Sequence, residues 1–364
     1  MATSFIDTYF TEDEIRLTSM TTDIKASTDK NKISVALSCE NGSEGEPETF
    51  YSTTLYAFKG IVELFDVGAI VAEYFRLRGK IADVITVQLD NISMDIHFLY
   101  CEYLLPDSFD AENSLLVASS AQRVRHDSII TIAAFNHGQE FSATIKAVGP
   151  RQLDGSVGMV SKEVAMPFTD GYTAYFHVPD IVKWAINNTE DELGDDALAR
   201  VMYFSIEYAG AQKMCYLAPA PAYLTFSFRN IFNVREYVDV VGVMTTKTEV
   251  SRNMAVCGGR TRQYDRNLTR SYEVVTEALT ADEIPLFEQF VASHEITLSV
   301  DGQDWPVIIT DHTCEPSTSD ETLTAVKFSW RFSDRPPRLF ASDFNGIMPA
   351  RQGIFNDKFT PEYE

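Results

Sequence analysis

The sequence is short of cysteine, of positive charge and of long apolar runs, and each shortage excludes something. Its five cysteines (Cys39, Cys101, Cys215, Cys257, Cys314) are odd in number, far apart and never in a CxxC pair. Their spacing therefore supports neither a disulfide framework nor a zinc site, and a reducing cytosol at synthesis fits best. No stretch approaches the roughly 20 uninterrupted apolar residues of a membrane span. The opening MATSFIDTYFTEDEIRL has no basic start followed by an apolar run, so the expectation is a soluble chain without a targeting signal or a membrane partner. Lys and Arg number 30 against 53 Asp and Glu, a formal net charge of −23. So acidic a surface repels phosphates and argues against nucleic acid as a general partner.

Reactive constellations are scarce too. TDHTCE gathers Asp311, His312 and Cys314, but strand alternation points neighbours to opposite faces, and a base or metal needs convergent groups. His97, His126, His137, His177 and His294 occur singly. The acidic run Glu190, Asp191, Glu192, Asp195, Asp196 lacks the ligand order of a calcium loop, and Cys257-Gly258-Gly259 reads as a turn. The expectation is no catalytic residue, no metal and no cofactor.

What is present is β grammar. At 364 residues, 45% hydrophobic and 12% aromatic, the chain can bury two or three cores. TAVKFSWRF sets Val326, Phe328, Trp330 and Phe332 on one face, the period of a half-buried strand. Asp301-Gly302 reads as a hairpin turn between EITLSV and WPVIIT, and STDKN as one between IRLTSMTTDIKA and KISVALSC. Helices are few. One is expected from the N-cap Asp66 to Gly79, and a second from Pro179 through DIVKWAINN. A third is marked by the capping-box spacing of Thr280 and Glu283, with Leu286, Phe287, Phe290 and Val291 on one stripe.

Asp66 and Cys101 are separated by the same interval as Asp180 and Cys215. Each interval holds a short helix and two strands after a preceding strand, a pattern of two tandem β-rich units. The glycine-marked VGPRQLDGSVG falls between them. The expected fold is mainly β: a β-rich domain over 1–147, a second over 148–222, a β domain with a long arm over 223–339, and an extended C-terminal arm over 340–364.

The stretch RNMAVCGGRTRQYDRNLTR carries Arg252, Arg260, Arg262, Arg266 and Arg270 in this otherwise acidic chain. It is a solvated hairpin, a cationic arm that docks on the acidic face of a neighbouring copy, where arginine forks suit carboxylates, or a patch for nucleic acid or other anions. The segment after Pro337 is too broken for a helix yet rich in aromatics. Phe344, Phe355 and Phe359 are its candidate contacts with another subunit.

From about Phe226 onward, two long strand-like segments (FNVREYVDVVGVMTTKTEV and RSYEVVTEAL) enclose this arm. LTADEIPLFEQFVASHEI, ITLSVDGQDWPVIITDHT and ETLTAVKFSWRFSDRP follow. Over roughly residues 225 to 340 this arrangement resembles the tube-type fold of tail proteins of bacteriophages and related injection machines. The resemblance implies a tail-tube-like β domain with one helix that assembles, usually in rings of six, through its sheets and hairpin arm. It brings no catalytic residues. The two preceding units would be like the peripheral β-sandwich domains of distal tail and baseplate proteins. Domain order departs from that family, whose distal tail proteins commonly place the ring-forming part first. The function so implied is a non-enzymatic structural component of a phage tail tip or baseplate, made in the bacterial host cytoplasm. It would form a ring, a hexamer by that analogy, and dock other tail or baseplate proteins in the virion. The alternative is a carbohydrate- or protein-binding β-sandwich module using exposed aromatics such as Tyr172, Tyr175 or Trp184.

Overall fold

In Lys32–Cys39, KISVALSC, alternate residues Ile33, Val35, Leu37 and Cys39 are buried while Lys32 and Ser34 face water. Repeated along the chain, this alternation builds sheets with one covered face. The computed structural model describes residues 3–6, 15–20, 23–40, 47–106, 108–135, 142–165, 172–187, 197–218, 224–300, 303–314 and 324–333, without the side chains of 257, 262 and 264–267. The chain is mainly β, with three helices among the described residues. It divides into two compact units: Met1–Ala218 with Arg229–Tyr237, and Pro219–Phe228 with Val238–Glu364.

Unit 1 is built twice on one plan. The first set is β1 (Ser4–Phe5), β2 (Ile15–Leu17), β3 (Ile24–Ser27), β4 (Lys32–Cys39), β5 (Glu48–Tyr56), β6 (Ile61–Leu64), α1 (Val67–Arg78), β7 (Ala82–Leu89) and β8 (Ile92–Leu99). The second is β9 (Ala121–Val124), β10 (Ile129–Ala133), β11 (Ser142–Pro150), β12 (Val157–Ala165), β13 (Thr173–His177), α2 (Val178–Ile186), β14 (Tyr203–Tyr208) and β15 (Ala211–Leu217). The first large sheet has the order β2-β8-β7-β4-β5, with β2 parallel to β8 and the rest antiparallel. The second has the order β9-β15-β14-β11-β12, with β9 parallel to β15 and the rest antiparallel. A small sheet, β1-β3-β6 or β10-β13, completes each sandwich. Each repeat has its own core, and α1 or α2 contributes to it with Phe75 or Ile181.

The duplicated pattern in the sequence is thus a duplicated topology, but the equal spacings do not mark equivalent residues. Both two-residue turns close an antiparallel hairpin, Leu89↔Ile92 and Tyr208↔Ala211. Their first residues, Asp90 and Ala209, both have positive φ, 59° and 46°. Aligning these turns matches Cys215 with Ile96 and leaves Cys101 beyond the end of the repeat. The segment VGPRQLDGSVG lies within one sheet as the β11–β12 hairpin. Gly149 serves close packing there, since a Cβ on it would stand 1.9 Å from the Arg200 carbonyl oxygen, whereas Gly155 has open space about it and supplies a positive φ of 69°. Residues 28–31, expected as a hairpin turn, instead carry the chain from the small sheet to the large one.

Helix ends follow local chemistry only in part. Gly79 closes α1 in the left-handed region (φ 66°), letting Lys80 N–H reach the Phe75 carbonyl at 2.9 Å. Asp66 occupies the N-cap without a capping side-chain hydrogen bond; its own N–H donates to Asp23 Oδ1 at 3.0 Å.

Unit 2 holds one seven-stranded sheet in the order β17-β16-β20-β21-β22-β19-β18. Its strands are β16 (Leu224–Arg229), β17 (Arg235–Val240), β18 (Gly242–Cys257), β19 (Arg260–Thr276), β20 (Ile296–Val300), β21 (Gln303–Thr313) and β22 (Lys327–Phe332); α3 spans Ile284–Ala292. The expected stripe Leu286, Phe287, Phe290 and Val291 is buried. Phe290 meets Phe226 at 5.1 Å and Phe328 at 5.4 Å between ring centroids, and Tyr272 stacks on Trp330 at 4.3 Å. Burying each such ring stabilises the unit by about 1.5–3 kcal/mol. Only half of the expected capping box forms: Glu283 accepts from Thr280 N–H at 2.9 Å and from its hydroxyl at 3.0 Å. Val300 pairs with Gln303 across the expected Asp301-Gly302 turn, which itself lies outside the described residues.

Candidate assembly surface on the long arm

The arginine-rich stretch is not a loop between strands. It forms the outer half of β18 and β19, which pair continuously from Gly242↔Thr276 to Cys257↔Arg260. Gly258 and Gly259, with φ 62° and 72°, close the hairpin as a two-residue turn of positive-φ residues. Gly242 marks its root, where a Cβ would stand 2.2 Å from the Val275 carbonyl oxygen.

Among the described residues, only the inner end of this hairpin has a third strand. β19 pairs with β22 from Tyr272↔Trp330 to Val275↔Lys327, and among the described residues 260–271 pair with β18 alone. A two-stranded ribbon without a covered face is marginally stable in water.

Alternation gives the ribbon two unlike sides. Met244, Thr246, Thr248, Val250, Arg252, Met254 and Val256 share one side of β18, and the register adds Leu268 opposite Val250 and Arg270 opposite Thr248. Toward the root this side becomes the buried face that carries Tyr272 and Val274. Toward the tip it stays exposed: Val250 41%, Leu268 46%, Met254 65% and Val256 73%. The opposite side is mostly polar, with Thr245, Lys247, Glu249 and Ser251; Lys247 pairs with Glu249 at 2.8 Å. An apolar strip therefore runs out from the core along the arm.

The five arginines are not one surface. Arg252 and Arg270 lie on the apolar side, whereas Arg260, the partner of Cys257, lies on the other. The register pairs Arg252 with Arg266, a like-charge placement that does nothing for an isolated ribbon. The side chains of Arg262 and Arg266, and all of Phe344, Phe355 and Phe359, lie outside the described residues. The Val250–Leu268 strip was missed in the sequence because its apolar residues are spaced among threonines and arginines. Period-two alternation of VSRNMAV could have found it.

Tyr172, Tyr175 and Trp184 are half-buried. Tyr172 stacks on Phe135 at 5.9 Å, Tyr175 is edge-on to Tyr237 at 6.3 Å, and Trp184 packs against the second repeat's core. They form no free stacking platform. Asp311 and His312 sit at successive positions on β21 opposite Ser329 and Phe328, both exposed, and burial raises the pKa of the Cys314 thiol. Among the described residues, no group of three or more His, Cys, Asp or Glu converges to hold a metal ion. No helix of the described residues is long and apolar enough to cross a membrane.

No protein-family model and no curated protein matches the chain. Among solved structures it is similar to a chain in the virion of a native gene transfer agent particle, at 11% identity, over 29% of this chain and 88% of that one, with a TM-score of 0.21. A likeness of that size bears on neither the fold nor the function.

Proposed function

We propose that this protein is a non-enzymatic structural component of a phage-type virion, at the tail tip or baseplate, that assembles with copies of itself as a ring. The observation that carries this reading is the β18–β19 arm. It is a long ribbon with an exposed apolar strip, and it bears Arg252, Arg260 and Arg270 in a chain of net charge −23. A ribbon of this kind gains a covered face by lying on a neighbour, and every other copy offers an acidic surface that its arginines can grip. A head-to-tail contact repeated around an axis closes as a ring; six subunits is the number implied by the resemblance to tail-tube proteins. The C-terminal segment, with Phe344, Phe355 and Phe359, would add a second docking arm, and the remaining surfaces would carry other tail or baseplate proteins.

Mass photometry across a salt series tests it. The expected result is one closed oligomer that falls apart as ionic strength approaches 1 M, where the Debye length shrinks to about 3 Å. An Arg252→Glu/Arg270→Glu variant should remain folded but no longer form the closed oligomer. If that variant assembles like the parent, the arm does not build the ring.

A further inference from the structure

Away from the arm, three polar side chains are sealed together inside unit 1. Lys213, Asn230 and Glu236 are each 1% exposed. Lys213 Nζ donates to Glu236 Oε2 at 2.8 Å, and Asn230 Nδ2 donates to Glu236 Oε1 at 2.7 Å. The two oxygens of one carboxylate therefore hold an amine and a primary amide.

The shared fold does not ask for a lysine here. Both repeats pair their last two strands in one register, so that Val87↔Met94 of the first corresponds to Ile206↔Lys213 of the second. Met94 packs against its repeat's core, and an apolar side chain therefore serves that position. Lys213 is also poorly served as a cation. An ammonium has three protons to donate, and beyond Glu236 its oxygen contact is the Thr131 carbonyl at 3.5 Å. Burying such a group is costly unless its hydrogen bonds are met.

The amide is held in a particular way. Asn230 Oδ1 accepts from the backbone N–H groups of Phe232 at 2.9 Å and of Val234 at 3.0 Å. Two donors on one carbonyl oxygen draw electrons from Cγ and stabilise negative charge that develops on that oxygen. Nδ2 donates to the Leu116 carbonyl at 3.0 Å as well as to Glu236. An amine, a polarised carbonyl, and an acid–base group that touches both are the parts of an acyl transfer.

We propose that Lys213 and Asn230 join in an amide bond that the chain makes by itself, with Glu236 as the catalytic acid and base. The ion pair is the state from which the bond forms. The Lys213 ammonium passes one proton to Glu236 Oε2, and the freed Nζ attacks Asn230 Cγ. The Nζ–Cγ bond forms as the carbonyl π pair moves onto Oδ1, beneath the Phe232 and Val234 N–H groups. When the carbonyl re-forms, the Cγ–Nδ2 bond breaks, and Nδ2 takes the proton from Glu236 and leaves as ammonia. Nζ gives its surplus proton to Glu236, which passes it to the ammonia as ammonium. Nothing is oxidised or reduced. Burial excludes water as a competing nucleophile and fixes the three groups in place.

The bond ties β15 to the segment that returns to unit 1 after β16. Pro219–Phe228, the stretch that belongs to unit 2, then lies within a covalent loop closed between residues 213 and 230. Such a link restricts the unfolded chain. It depends neither on the β18–β19 arm nor on ring assembly.

Mass spectrometry of the denatured full chain tests it. The expected mass is below the sequence mass by one ammonia, and a proteolytic digest should contain a branched peptide that joins Lys213 to Asn230. Lys213→Met and Glu236→Gln should each restore the full mass and lose the branched peptide. The parent chain is read after denaturation, so the result does not rest on either variant folding. A parent at its full sequence mass overturns the proposal. So does an ammonia loss that survives Lys213→Met, which would mean a cyclised asparagine, or a branch from Lys213 to Glu236 with loss of water.

Discussion

Lys213 Nζ lies 2.8 Å from Glu236 Oε2, with each side chain 1% exposed. Lys213 comes from β15 of the second repeat, and Glu236 from the segment Arg229–Tyr237 that returns to unit 1 after β16. The carboxylate is further satisfied by Ala118 N–H at 2.5 Å and Asn230 Nδ2 at 2.7 Å, so the pair is the centre of a network that pins the returning segment.

Breaking this pair from the acid side should cost most. Glu236→Gln strands the buried ammonium, whose other oxygen contact is the Thr131 carbonyl at 3.5 Å, and should destabilise unit 1 by about 3–5 kcal/mol. Lys213→Met leaves a carboxylate that keeps two donors and should cost less. Urea denaturation of both variants checks the order.

Asn233 is held at φ 62° and donates through Nδ2 to the Phe75 carbonyl (3.1 Å) and the Lys80 carbonyl (2.9 Å) at the end of α1. Asn233→Gly loses two hydrogen bonds but no backbone comfort, whereas Asn233→Ala also strains the left-handed backbone by about 1 kcal/mol. Asn233→Asp sets a carboxylate against two carbonyl oxygens and should be the worst of the three. Thermal melts that rank them otherwise would refute the capping role.

Phe290→Ala removes the ring around which Phe226, Phe228 and Phe328 gather in unit 2. The expected loss is about 3–5 kcal/mol, with unit 1 unaffected. A biphasic denaturation curve in which only one transition moves would show it.

Burial pushes the Cys215 thiol from 9.0 up to about 12. Its pKa is raised in the folded state, so its contribution is whole below pH 9.0 and is lost as pH climbs to about 12, because the unfolded chain ionises first. Stability should therefore fall across that alkaline window, and Cys215→Ala should flatten the fall. Cys39, Cys101 and Cys215 are buried and should react with a thiol reagent only after unfolding, behind the half-buried Cys314.

The strand faces of Val326–Phe332 and the apolar stripe of α3 were readable from the residues because alternation and the 3.6 period are local properties of a chain. So was the stop of α1, since glycine alone tolerates its C′ conformation at no cost. So was the place of Asp66 at the N-cap, but its side chain makes no capping hydrogen bond, and its own N–H is tied to Asp23, a partner far away in sequence. The arm was visible as charge, but its two-sided character depends on a register that pairs Val250 with Leu268.

Composition and periodicity thus point to a mainly β chain, to a strand–helix–strand pattern that recurs, and to a run of arginines on one segment. Those are statements about neighbours in sequence. Which row of each repeat is covered, which strand lacks a third partner, and why Lys213 can be buried are statements about residues separated by tens of positions. They follow from strand order, since whether Lys213 faces Glu236 or water depends on what the whole topology places over it, not on the residues beside it in the chain.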